Sequence, residues 1–450
     1  MPSSLSQPTL RRALGRWDLT AIGINQVIGG AIFLMPADVA RQVGNWAPIA
    51  LLAIGLASMA VALCFAEVGS RFEGTGGPYL YTRAAFGRFV AFEVGWMQWF
   101  TRASSQASIA NGIAIAMGFY FPAMRVGLGR AGLLTALTLG LMWINVRGIR
   151  QSAWVVNALT IGKLVPLFAF IAAGVFFIEP ARLVDLPPIT VEQASTAALL
   201  LIFTFGGYDV IGVPAGEATN PRQHIPFAFV TTILLVTTIF VLAQVVAMSV
   251  VPDLTATRTP MADAAALMLG AAGALMISVG SVISMTGNNA GQVLTGSRML
   301  YALAENGELP RWFARIHPGY RTPSNSVIFT SIVALVLMLS GSFVFLAAVS
   351  AVARLITYTG ACAATLALRR PKFEGTVQPA TFVVPGGPIV PYLAIASSML
   401  ILVMANRQQL LGGGAALAAG ALLFLMNDRW RRGRRVPVAA GLPTHREASQ

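Results

Sequence analysis

Charge is what this chain has least of. Asp, Glu, Lys and Arg make up 11% of its 450 residues, where a soluble domain carries roughly a quarter, so the composition excludes a fold solvated by water on all sides. Lysine occurs only as Lys163 and Lys372, and neither precedes Ser or Thr. A phosphate-binding P-loop is therefore missing, and with it an ATP-driven pump. The three histidines, His224, His317 and His445, lie outside the apolar runs, which leaves no intramembrane pair to hold a haem. Cys64 and Cys362 sit singly inside apolar runs, at no metal-ligand or redox spacing. Zinc-protease HExxH and serine-hydrolase GxSxG stretches are absent too. No enzyme activity, cofactor or metal is expected.

What the chain has is apolar length: 56% of its residues are hydrophobic. About twelve segments are long enough for a bilayer span, centred near residues 30, 58, 106, 138, 164, 205, 238, 280, 332, 356, 397 and 419. The predicted fold is an all-α polytopic membrane protein of about twelve transmembrane helices, with a tail over 1–16 and a basic tail over 429–450. The opening MPSSLSQPTLRRALGRWD has no apolar centre and no cleavage site, so it is not a secretory signal. The net charge of +14 is spread over loops on one side, among them Arg11, Arg12, Arg71, Arg83, Arg88, Arg311 and Arg315. That pattern places both termini in the cytoplasm rather than marking a nucleic-acid groove. The run RWRRGRR at 429–435 directly follows a span, where it either stops transfer or touches anionic lipid headgroups.

Two spans carry glycine pairs at their centres: Gly29 and Gly30 in WDLTAIGINQVIGGAIFLMP, and Gly206 and Gly207 in LLLIFTFGGYDVIGVPAGE. A glycine inside a helix costs about 1 kcal/mol against alanine, and the pairs fall in the first and sixth spans, as an inverted repeat of five plus five requires. Unwound backbone is expected at both. Its free N–H groups at Gly30, Ala31 and Ile32 suit a carboxylate. The carbonyls around Val27 and Ile28, and from Phe203 through Phe205 to Gly206, suit an ammonium. Together they describe an α-amino acid, with Tyr208 either covering it or packing.

Four segments in order, VIGGAIF at 27–33, FAEVGSRFEGTGGPYLYTRAAFG at 65–87, FGGYDVIGVPAGEATNPRQHIPFAF at 205–229 and SRMLYALAENGELPRWFARIHPGYRTPSNSV at 297–327, resemble the amino acid, polyamine and organocation superfamily of permeases. The resemblance covers about the first 370 positions. It implies an inverted-repeat core of ten helices over 17–370 with helices one and six discontinuous, two added helices over 371–428, alternating access, and a solute held at the two breaks. Ala31 departs from the family's glycine, and its methyl group narrows the carboxylate end.

Lys163 lies about 17 Å into span five, too deep to snorkel, and an intramembrane lysine is a functional hypothesis by default. Its alternative is a structural bond to backbone carbonyls. In the resembled family a lysine here replaces a sodium ion, which implies proton symport or exchange, with Lys163 bonding near Gly29 and to Ser281 or Ser284. Asp209 is expected to pair with Arg102 or Arg354, for packing or for substrate, and the excess of positive charge leaves an acidic solute open. Glu67 with Arg71, and Glu217, either cap helices or join a cytoplasmic gate. The rival readings are a carrier of amines or polyamines, a channel, and a sensor that binds without transport.

Overall fold

The computed structural model describes residues 10–124, 126–340, 343–403 and 407–433; the remaining parts of the two expected tails lie outside the described residues. Among those described, fourteen α-helices run in order: α1 (Arg16–Val27), α2 (Ala31–Val43), α3 (Ala47–Gly69), α4 (Pro78–Phe86), α5 (Arg88–Tyr120), α6 (Gly127–Arg147), α7 (Ile149–Gly174), α8 (Val191–Phe205), α9 (Pro221–Val250), α10 (Pro260–Glu305), α11 (Ser324–Ser340), α12 (Phe343–Leu368), α13 (Ile389–Val403) and α14 (Arg407–Gly433). Extended pairing among them is limited to one isolated bridge, Leu14 to Ala218.

Six helical stretches are long and apolar enough to cross a membrane, including Gly127–Arg147, Pro221–Val250 and Pro260–Glu305, and shorter apolar helices accompany them. Each expected span centre falls on a helix, except that near residue 30, which falls at the α1–α2 break. This is a polytopic helical membrane protein. In lipid every backbone polar group must be satisfied internally, which is why helices account for nearly all of the buried chain.

α5 occupies the middle, packed on α10, α11, α12 and α4, while α3 packs on α9 and α7 on α10. It carries Glu93, Gln98, Arg102 and Gln106, all buried, so its polar side chains face protein rather than lipid. α1 lies close against α10 because Gly287 and Gly291 present no side chain there: a Cβ on either would sit 2.7 Å from Asn25 Oδ1 or 2.1 Å from Gln26 Nε2. Small residues four apart let membrane helices approach closely, and here they bring two amides of α1 onto the backbone of α10.

One end of the bundle is tightly closed. The segment before α1 runs along residues 217–219, with Ala13 and Leu14 N–H donating to the Glu217 carbonyl at 2.8 and 2.9 Å. Beneath it the Glu217–Arg298 pair is fully buried, at 2.9 and 3.1 Å. The same basic end holds Arg88 between Glu308 (2.9 Å) and Asp428 (3.4 Å), tying α5 to the ends of α10 and α14. Those carboxylates, Glu308 foremost through its hydrogen bond, hold the Arg88 guanidinium above its ordinary pKa.

Candidate functional site

The first break spans residues 28–30, where Ile28 leaves the helix at φ −77° and ψ 86° and α2 starts again at Ala31. Ending α1 in mid-bundle strands its last carbonyls, and donors from α7 and α10 take them up. Lys163, wholly buried on α7, donates to the carbonyls of Asn25 (3.1 Å), Ile28 (2.5 Å) and Ser284 (3.2 Å). Ser284 Oγ reaches the carbonyls of Ile28 at 3.1 Å and Gly29 at 2.8 Å. Asn288 Nδ2 donates to the carbonyls of Asn25 and Gln26 at 3.2 and 2.9 Å. In return Asn25 donates to the Gly287 carbonyl, and Gln26 to that of Asn288 at 2.9 Å.

Two expectations change. Val27 O accepts from Gly29 N–H at 2.9 Å and Ile28 O already has two donors, so the protein's own groups use the carbonyls assigned to an ammonium. Ser281 stays out of the cluster because its hydroxyl is satisfied by the Ser278 carbonyl one turn back, at 2.7 Å. The other face of the break is different. The N–H groups of Gly30, Ala31 and Ile32 open α2, where no carbonyl stands one turn earlier, and no described residue accepts from them. Gly30 and Ala31 are half-buried, while Ile32 is buried.

The second break follows Phe205, whose buried ring sits edge-on to Phe240 at 5.2 Å. The Phe203 side chain lies outside the described residues. Gly207 has φ +128°, and a Cβ there would lie 2.6 Å from the Gln26 carbonyl oxygen. Only glycine meets both demands, and the two breaks therefore touch. Beyond Gly207 the chain continues as short 3-10 turns, Tyr208–Val210 and Ala215–Glu217, rather than as α-helix. Gly207 N–H meets the hydroxyl of Tyr358 at 3.4 Å, and that hydroxyl lies 3.4 Å from Asp209 Oδ1. Asp209 Oδ2 takes Arg102 Nη2 at 3.3 Å and Gln98 Nε2 at 3.2 Å. Of the two arginines, then, Arg102 holds the acid, and Arg354 pairs with no carboxylate among the described residues. Tyr208 is buried and stacked on Tyr358, ring centroids 5.2 Å apart, within a cluster with Phe65 and Phe229. A void of about 20 Å³ beside these tyrosines, lined also by Ser58 and Ser398, has room for one water.

Glu67 belongs to a different partner from the one its spacing indicates. Arg71 stands 3.9 Å away, whereas Arg369, just past α12, makes a two-pronged pair at 2.7 and 2.5 Å. That carboxylate holds the Arg369 guanidinium above its ordinary pKa. Sequence reasoning missed Asn25, Gln26, Asn288, Arg298, Tyr358 and Arg369. The amides were visible as polar side chains in NQVIGG and GNNAG inside apolar spans; the last three lie too far along the chain from their partners for any local signal.

A profile of the amino acid permease family matches residues 14–414, from just before α1 into α14. The chain belongs to this family. The permease is 28% identical to the serine/threonine exchanger SteT of Bacillus subtilis over 87% of this chain and 91% of that one. It is 26% identical to the branched-chain amino acid permease BcaP of the same organism, over 94% of both. A plant relative, the chloroplastic cationic amino acid transporter 9 of Arabidopsis thaliana, is 30% identical over 70% of this chain and 59% of that one. These relatives are transporters, and the family reading makes this chain an amino acid transporter; their names span hydroxyl, aliphatic and cationic substrates at nearly equal identity, so identity does not choose the solute.

Proposed function

We propose that this permease carries a free amino acid across a cytoplasmic membrane by alternating access, as a proton-coupled symporter or an exchanger. The observation that carries the reading is the burial of Lys163 on three carbonyls at the first break. The ammonium occupies the place of a bound cation there, so its proton, rather than sodium, sets the position of α1. Gly30, Ala31 and Ile32 present their N–H groups to the substrate carboxylate, with the positive end of α2 behind them. The carbonyls of residues 203–206 at the end of α8 face the substrate ammonium. The basic end, where Glu217–Arg298 and Glu67–Arg369 close the bundle, is the cytoplasmic gate by the positive-inside rule.

The matching positions of the two breaks support an inverted repeat over residues 17–370, with α13 and α14 as additions. Few acids line the site, which disfavours an amine or polyamine. Counterflow of labelled amino acids in proteoliposomes tests the reading: saturable exchange independent of sodium is expected. Binding without flux would make the chain a sensor, and strict sodium dependence would remove Lys163 from the coupling role.

A further inference from the structure

We infer that the preferred solute carries a net negative charge: an acidic amino acid whose second carboxylate becomes the counter-ion of Arg354. The inference rests on the permease reading and names its substrate class. Arg354, on α12, is 7% exposed and its Nε has no hydrogen-bond partner. Among the described residues no carboxylate comes within 4.0 Å of its guanidinium. That group lies directly on the second break, with Nη1 1.8 Å from where a Cβ of Gly206 would stand. Glycine at 206 is what lets a guanidinium come down onto the unwound backbone.

Around it the shortage of partners continues. Arg102, 1% exposed, uses one nitrogen on Asp209 and leaves Nε and Nη1 without an acceptor. One turn on from Arg102, both amide atoms of Gln106 are buried and have no partner among the described residues. The Ser105–Ser350 hydrogen bond, 2.8 Å, clamps α5 to α12 one turn from both arginines. Glu93, the one acid of α5, lies against Gly420 of α14 and pairs with neither arginine among the described residues.

Even without counting Lys163, two buried arginines face one aspartate among the described residues, which leaves one positive charge unbalanced. An isolated buried charge is costly unless paired and hydrogen-bonded. A zwitterion with an aliphatic or hydroxyl side chain brings no net charge and leaves that cost in place. A second carboxylate removes it, and the guanidinium fork binds carboxylates by two parallel hydrogen bonds.

The test is counterflow with labelled L-glutamate, L-aspartate, L-serine, L-leucine and L-lysine, in wild type and in Arg354→Gln. Wild type is expected to prefer the acidic pair by about 10-fold or more, and the ratio of acidic to neutral exchange should collapse in Arg354→Gln. Should that variant aggregate in detergent, Arg354→Lys, which keeps the charge but loses the fork, should show an intermediate ratio. Exchange of serine or leucine without glutamate or aspartate overturns the inference and leaves the permease reading standing. Absence of exchange for every amino acid overturns both.

Discussion

At the first break the stranded carbonyls of Asn25, Gln26, Ile28 and Gly29 are held by Lys163, Ser284 and Asn288 from α7 and α10. At the second, Gly207 N–H makes one long contact to Tyr358, and the charged groups beside it are Asp209 with Arg102 of α5, and Arg354 of α12, which has no carboxylate partner among the described residues. Both breaks centre on a glycine pair, yet at the first the stranded carbonyls are taken up by the scaffold while the N–H groups of Gly30, Ala31 and Ile32 stay open, and at the second the charged side chains are left short of partners. The difference teaches where each does its work. Carbonyls held in this way tie α1 to their donors, and of Lys163, Ser284 and Asn288 only Lys163 can gain or lose charge. On the proposed reading a solute binds where polar groups still need a ligand, at the open N–H groups of Gly30, Ala31 and Ile32 and beside the Arg354 guanidinium.

Removing the main donor at the first break is expected to have the largest effect. Lys163→Ala withdraws three charge-assisted bonds, each worth about 1.5–3 kcal/mol, and should abolish coupled uptake with its pH dependence while the protein still reaches the membrane. Wild-type uptake and pH dependence in that variant would end the contrast. Asp209→Asn tests the second break: it leaves Arg102 buried without its carboxylate, at a cost of about 3–5 kcal/mol, and thermal melting in detergent should show a clear fall. Gly207→Ala forces a Cβ into φ +128° against the Gln26 carbonyl. It should cost about 1–3 kcal/mol and slow transport by pushing the breaks apart. Gly30→Ala should cost less stability in the same melting assay, since its new methyl meets only the flexible Met285, at 3.3 Å. The smallest effect belongs to Ser284→Ala: Lys163 still covers Ile28, so only about 1 kcal/mol is lost, seen as a modest drop in melting temperature with exchange retained. Equal damage from Ser284→Ala and Lys163→Ala would show that hydrogen bonding, not charge, holds the first break.

Much of the first break was legible because its signals are local. Gly29 and Gly30 interrupt an apolar run, and a lysine eleven residues into a span has few places to go. Ser281 shows the limit of that reading: its hydroxyl turned back to its own helix at Ser278, a choice that spacing alone does not encode. Glu67 is a second case. An Arg four residues on is a natural helix partner, but Arg369 arrives from 302 positions away with better fork geometry.

By itself the sequence determined the solvent, the number of apolar segments and the two places where the backbone must break, because each follows from composition or from glycine within a single helix. Only the tertiary structure decided which donors take up the carbonyls of the first break, which arginine takes Asp209, and that Arg354 faces Gly206 with no counter-ion among the described residues. Those outcomes depend on which distant helices share a level in the bundle, and short-range polar forces act across gaps of about 3 Å that no spacing along one chain can predict.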